Sequence, residues 1–171
     1  MPVIINGTTG ISGTDGTASA PAVQGTDADT GIYFPGNDRI AFAEGGVQVG
    51  EFDASGNFLF NSGYGSVARA FGCRAWVNFN GTGTVAIRAS GNVSSITDNG
   101  TGDYTVNLTT AMPDGNYAAT QMIMSNNTNG AGWSANMRND VAPATGSFRF
   151  LTGVQNLLPI DVAQVHVAIF R

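Results

Sequence analysis

The side chains able to do chemistry are few and scattered. One cysteine, Cys73, and one histidine, His166, are the sole pair from which a thiolate–imidazole nucleophile could be built. Arg69 and Arg74 stand near Cys73 in sequence and would favour a thiolate. His166, however, sits inside the alternating run "QVHVAI", on the face opposite Val165 and Val167, as a strand histidine does. Two pairs of carboxylates are spaced for acid–base work, Asp27 with Asp29 and Asp98 with Asp103. A glycosidase needs its two carboxyls about 5–9.5 Å apart in a cleft. Both pairs here fall in glycine-rich turns, where Asp usually caps its own backbone. "DADTG" starts like a calcium loop, but Gly31 and Ile32 occupy the positions where an EF-hand places a third ligand and a glycine. No phosphate loop, zinc spacing or dinucleotide fingerprint is present. The expectation is a non-enzymatic chain with no catalytic residues, no metal and no cofactor.

Aromatic side chains offer a different chemistry, because flat apolar faces stack on sugar rings. Trp76, Trp133 and Tyr117 are the candidates, with packing in a core or between subunits as the competing reading for each. The loop "NNTNGAGW" gathers polar residues before a tryptophan. Its Asn126, Asn127, Asn129 and Trp133 form a candidate glycan-contact loop.

The elements that must position these residues are strands. Among 171 residues there are 24 glycines, and only 11% are charged. All basic residues are Arg, and Glu44 and Glu51 are the only glutamates. Good helix formers are therefore scarce, while Gly, Asn, Thr and Asp supply turns. The expected fold class is all-β. Before about residue 65 the apolar residues come in short bursts: "VII", "IYF", "IAF", Val47 with Val49, and "FLF". Each burst is long enough for a strand of three to five residues, and a short hairpin is barely stable alone. Several identical chains winding together would supply the missing partners. The candidate oligomer core is Ile32, Tyr33, Phe34, Ile40, Phe42, Val47, Phe52, Phe58 and Phe60. Residues 1–65 are thus expected to form an extended, intertwined, fibre-like segment.

From 66 to 171 the pattern lengthens. "RAWVNFN" sets Ala75, Val77 and Phe79 against Trp76, Asn78 and Asn80, and "DYTVNL", "SFRF" and "VHVAIF" alternate likewise. Seven or eight such strands between turn signals predict a β-sandwich or jelly-roll-like knob.

The net charge is −5, without the basic face that nucleic acid calls for. The start "MPVIINGTTG" lacks the basic-then-apolar order of a secretory signal, and no apolar run approaches the ~20 residues of a membrane-spanning helix. The Asn-x-Ser/Thr triplets are accordingly read as turn and strand chemistry.

Two stretches carry a resemblance. The first half, through "GTTGISG", "QGTDADTGIYFP", "IAFAEGG" and "DASGN", resembles a segment of tailed-bacteriophage structural proteins, especially tail-fibre-like ones. The second, from "AWVNFNGTGTVAIRASGN" to "MPDGNYAAT", is similar to a C-terminal module of such proteins. The resemblance implies a homotrimeric virion component, made in the host cytoplasm, with other virion proteins as partners. Long fibres exceed this length, so a short fibre or spike, a head fibre, or a capsid-decorating (cement) protein is the expectation. The N-terminal half would attach to the particle and the C-terminal domain project. The alternative is a tail-fibre adhesin that recognises host glycans through the Asn126–Trp133 loop.

Overall fold

In the computed structural model the protein is all-β. The structure describes residues 4–7, 10–63, 65–124, 133–154 and 158–171. Among these residues no helix is long and apolar enough to cross a membrane. The chain divides into two compact units, Met1–Ala70 and Phe71–Arg171.

The first unit opens with two small hairpins, β1 (Ile4–Asn6) with β2 (Gly10–Ser12) and β3 (Gly16–Thr17) with β4 (Ala20–Pro21). Six strands follow: β5 (Val23–Gln24), β6 (Gly31–Tyr33), β7 (Ile40–Glu44), β8 (Val47–Phe52), β9 (Phe58–Phe60) and β10 (Ala68–Arg69). They form one antiparallel meander in which each strand pairs with its neighbours in the chain. The turns follow from the residues. Gly45 and Gly46 both take positive φ, +57° and +75°, as the tight β7–β8 turn requires. In "DASGN" the Asp53 carboxylate accepts from the backbone N–H groups of Ser55 and Asn57, each at 2.9 Å. The short bursts thus find their hydrogen-bond partners within the chain itself. Because β10 pairs with β9, the first unit runs on to Ala70, past the sequence boundary at 65.

The second unit comprises β11 (Cys73–Asn80), β12 (Ala86–Gly91), β13 (Val93–Gly100), β14 (Asp103–Leu108), β15 (Ala118–Ile123), β16 (Trp133–Met137), β17 (Ser147–Val154), β18 (Leu158–Pro159) and β19 (Val165–Phe170). One sheet has the order β12-β11-β19-β15; the other runs β13-β14-β17-β16, with β18 also paired to β17. The alternating residues of both sheets meet in one core. Ala75, Val77, Phe79, Val165, Val167 and Ile169 come from the first sheet; Tyr104, Val106, Phe148 and Phe150 come from the second. Phe79 meets Tyr104 edge-on at 5.2 Å between ring centres, and Phe148 stacks with Phe150 at 5.8 Å. This is a β-sandwich.

The buried polar residues Asp103 and Thr152 of the sandwich are paired, whereas the buried Gln121 Nε2 has no partner among the described residues. Asp103 accepts a bidentate pair of bonds from Arg149, at 2.9 and 2.8 Å, and a third from Arg138 at 2.6 Å. The Arg149 hydrogen bonds hold its carboxyl below the usual Asp range against the opposing cost of burial.

Candidate functional site

The side chains expected to do chemistry are kept apart or committed elsewhere. Cys73 pairs across the ladder with Phe170, while His166 pairs with Asn78. Those partners, Phe170 and His166, are four residue steps apart along β19, ~13 Å at strand rise. The Cys73 thiol donates to the Ala75 carbonyl, and the His166 ring is engaged by Gln164. Asp98 caps the Gly100 N–H at 3.0 Å, and Asp103 is clamped by two arginines. Asp27 and Asp29 interact in an exposed turn. The Thr30 hydrogen bond lowers the Asp27 carboxyl, and Asp27 in turn raises that of Asp29. Among the described residues no group of three His, Cys, Asp or Glu is placed to hold a metal ion. Asn126, Asn127 and Asn129 lie outside the described residues; for Trp133 the description is limited to its place at the start of β16, opposite Val154.

What stands out is the distribution of side chains over the six-stranded sheet. Residues directly opposed across a ladder share a face, as do residues i and i+2. The register places Val23, Ile32, Phe42, Gly50, Phe60 and Ala68 in one row across all six strands. Ile40, Phe52 and Phe58 form a second row on the same face. Val47, paired with Glu44, ends that face at the β7–β8 turn. Phe52 and Phe58 lie 5.3 Å apart between ring centres, and Phe58 stacks on Phe60 at 6.1 Å. Phe34 follows β6 directly; its N–H donates to the Asp15 carbonyl, and it lines a hollow with Ile40 and Phe52.

This apolar face is open in the single chain. Val23, Phe34, Ile40, Val47, Phe52, Phe58 and Phe60 are 39% to 59% exposed. The opposite face is the covered one, and it is built from small and polar residues. Ala41 and Ala43 are buried there with Tyr33, against the partly buried Ala18. Glu51 is buried as well, 1% exposed. Arg39 grips its carboxylate through Nε at 2.6 Å and a terminal nitrogen at 2.9 Å, and Gln48 donates at 2.7 Å. The Tyr33 hydroxyl donates to Gln48 at 2.7 Å, completing the chain of bonds. The Arg39 hydrogen bond is the largest cause of the lowered Glu51 carboxyl, with burial opposing it.

Eight of the nine candidate oligomer-core residues are therefore on the open face or beside it. Tyr33 departs from the expectation. It lies between Ile32 and Phe34 in sequence, so the two-residue period of a strand turns it to the covered face. Sequence reasoning also missed the Arg39–Glu51–Gln48 network. Its signal was a lone Glu inside the apolar run "VQVGEF". No protein-family model, curated protein or solved structure matches the chain.

Proposed function

We propose that the protein is a non-enzymatic structural subunit that assembles with copies of itself through the aromatic face of its N-terminal sheet. The observation that carries this reading is the inverted sheet, with alanines and a satisfied polar network covered while phenylalanines stand open. At about 150–250 Å² per aromatic side chain, the exposed fractions amount to on the order of 500 Å² of apolar surface. That sits near the top of the roughly 300–600 Å² of the largest patch on an ordinary monomer, and is over half of the ~800 Å² per partner of a standard interface.

The sequence resemblance supplies the setting. In this reading the assembly is a homotrimer on a bacteriophage particle, a short fibre or spike or a capsid-decorating protein, whose other partners are virion proteins. Light scattering across a range of concentrations tests the assembly: a constant mass of three chains is expected, and a monomer at all concentrations overturns it. Antibodies raised against the protein should label phage particles in electron micrographs of an infected lysate; labelling absent from intact particles overturns the virion assignment.

A further inference from the structure

The outer face of the sheet β12-β11-β19-β15 differs from the aromatic face of the first unit. It mixes exposed Trp76, Met122 and Phe170 with polar and small side chains. Trp76 is paired with Gly91 on one side and with Ala168 on the other, and Ala168 is paired in turn with Thr120. A Cβ on residue 91 would lie 2.5 Å from the indole Nε1 and 2.9 Å from Cδ1. The indole therefore rests against the bare backbone of Gly91, leaning onto β12 and away from β19. Ala168 is too small to fill the space it leaves. The result is a hollow of about 400 Å³ lined by Trp76, Thr120, Met122, His166 and Ala168. Trp76 is 46% exposed.

The next row across the sheet is Ala89, Asn78, His166 and Met122. It brings an amide and an imidazole beside the indole. Gln164 Nε2 and His166 Nε2 lie 2.8 Å apart, within hydrogen-bond distance. Arg88 reaches the same row and donates to Asn78 Oδ1 at 3.4 Å and to the Ala163 carbonyl at 2.6 Å. Four of the seven arginines are in salt bridges, Arg39, Arg138, Arg149 and Arg171. Among the described residues Arg88 has neutral acceptors and no carboxylate. The four strands of this sheet contain no Asp or Glu, although the chain as a whole carries −5.

We infer that this hollow binds an acidic saccharide. The open face of Trp76 takes the C–H face of a pyranose ring. Asn78 and His166 are placed to exchange hydrogen bonds with its hydroxyls, and Arg88 meets a sugar carboxylate. Each part of the site matches one part of that ligand: an apolar plate for the ring face, planar polar groups for paired hydroxyls, and a cation on a sheet free of carboxylates. A second copy of the chain is a poorer occupant. A self-association face such as that of the first unit gathers many apolar side chains and no cation at its centre, whereas here Asn78, His166 and Arg88 stand beside the indole.

The inference stands apart from the assembly reading, since Trp76→Ala should leave the native mass unchanged. The test is calorimetric titration of the full chain with hexuronate oligomers, oligogalacturonate and oligomannuronate, with a sialylated oligosaccharide as a third acidic probe and maltohexaose as the neutral comparator. Saturable binding of at least one acidic probe is expected, weakened about tenfold or more by Trp76→Ala and weakened by salt. Arg88→Gln, a surface change that keeps the fold even where Trp76→Ala does not, should reduce acidic binding several-fold. Failure of every acidic probe to bind at millimolar concentration overturns the inference. So does binding that survives both substitutions, or equal binding of maltohexaose.

Discussion

Glu51 and Phe52 are neighbours in the chain with inverted burial: the carboxylate residue is 1% exposed and the phenylalanine 47%. The strand period sends them to opposite faces of β8. Glu51 is acceptable inside because Arg39 and Gln48 satisfy both of its oxygens. Phe52 has Ile40 and Phe58 beside it in its row and is nevertheless half-exposed. A sheet so arranged is stable as a backbone ladder and incomplete as a hydrophobic layer.

Removing the Glu51 charge should loosen the first unit. In Glu51→Gln one partner of the bidentate Arg39 contact changes from carboxylate to amide, and a donor is turned toward donors. Arg39 is partly open to water, so the loss falls below that of a fully buried pair, about 1–3 kcal/mol. Hydrogen exchange at the β7 and β8 amides should quicken accordingly, while β11 and β19 amides keep their protection. Unchanged exchange in β7 and β8 would show that the network contributes nothing to the sheet.

Acid should act on both units through their paired carboxylates. Glu51 has its folded pKa held below the ordinary 4.5, and Asp103 has its own held below 3.8. A depressed folded pKa contributes stability that is present above the unfolded value and lost as pH falls through the folded one. The denaturant midpoint should therefore be flat between pH 7 and 5 and fall below about 4.5. Glu51→Gln should flatten that fall for the first unit and Asp103→Asn for the second. A midpoint that drops between pH 7 and 5 would point to a different titrating group.

Tyr104 ties the sandwich together by one oxygen. Its hydroxyl donates to the Gly81 carbonyl at 2.8 Å and lies 2.8 Å from Asp161 Oδ1, which also accepts from the Gly102 N–H at 2.7 Å. Burial and the Asp161 carboxylate both raise the phenol, so it stays protonated well into alkali. Tyr104→Phe keeps the ring packing against Phe79 and Phe150 and strips the hydroxyl. The cost should be about 1–3 kcal/mol, read as a fall of several degrees in the melting temperature of the second unit. A melting temperature equal to that of the parent protein would mean that water replaces the hydroxyl without loss.

The second unit was the more legible in sequence. "RAWVNFN" and "SFRF" alternate large apolar residues with polar ones, so the core face of each strand could be read directly. In the first unit the strands were legible but their burial was not. The covered face there is Ala41, Ala43, Tyr33 and Glu51, while the larger apolar residues stand outside, so hydrophobic size marked the open face and gave no sign of the covered one. The Arg39–Glu51 contact joins the residue before β7 to β8, twelve positions on, and the register of those strands includes a bulge between Phe42 and Ala43. No local pattern announces such a bulge. The hollow beside Trp76 was hidden for the same reason, since it depends on Gly91 and Ala168 falling opposite the indole on two different strands.

The most direct test of the account is sedimentation velocity on the wild-type protein and on the double variant Phe52→Ser/Phe58→Ser. Both residues are exposed in the single chain, so the substitutions should leave the fold and its circular dichroism intact. The account predicts a three-chain species for the wild type and a folded monomer for the variant. A wild-type monomer, or a variant that assembles as fully as the wild type, would contradict the claim that the aromatic face holds the copies together.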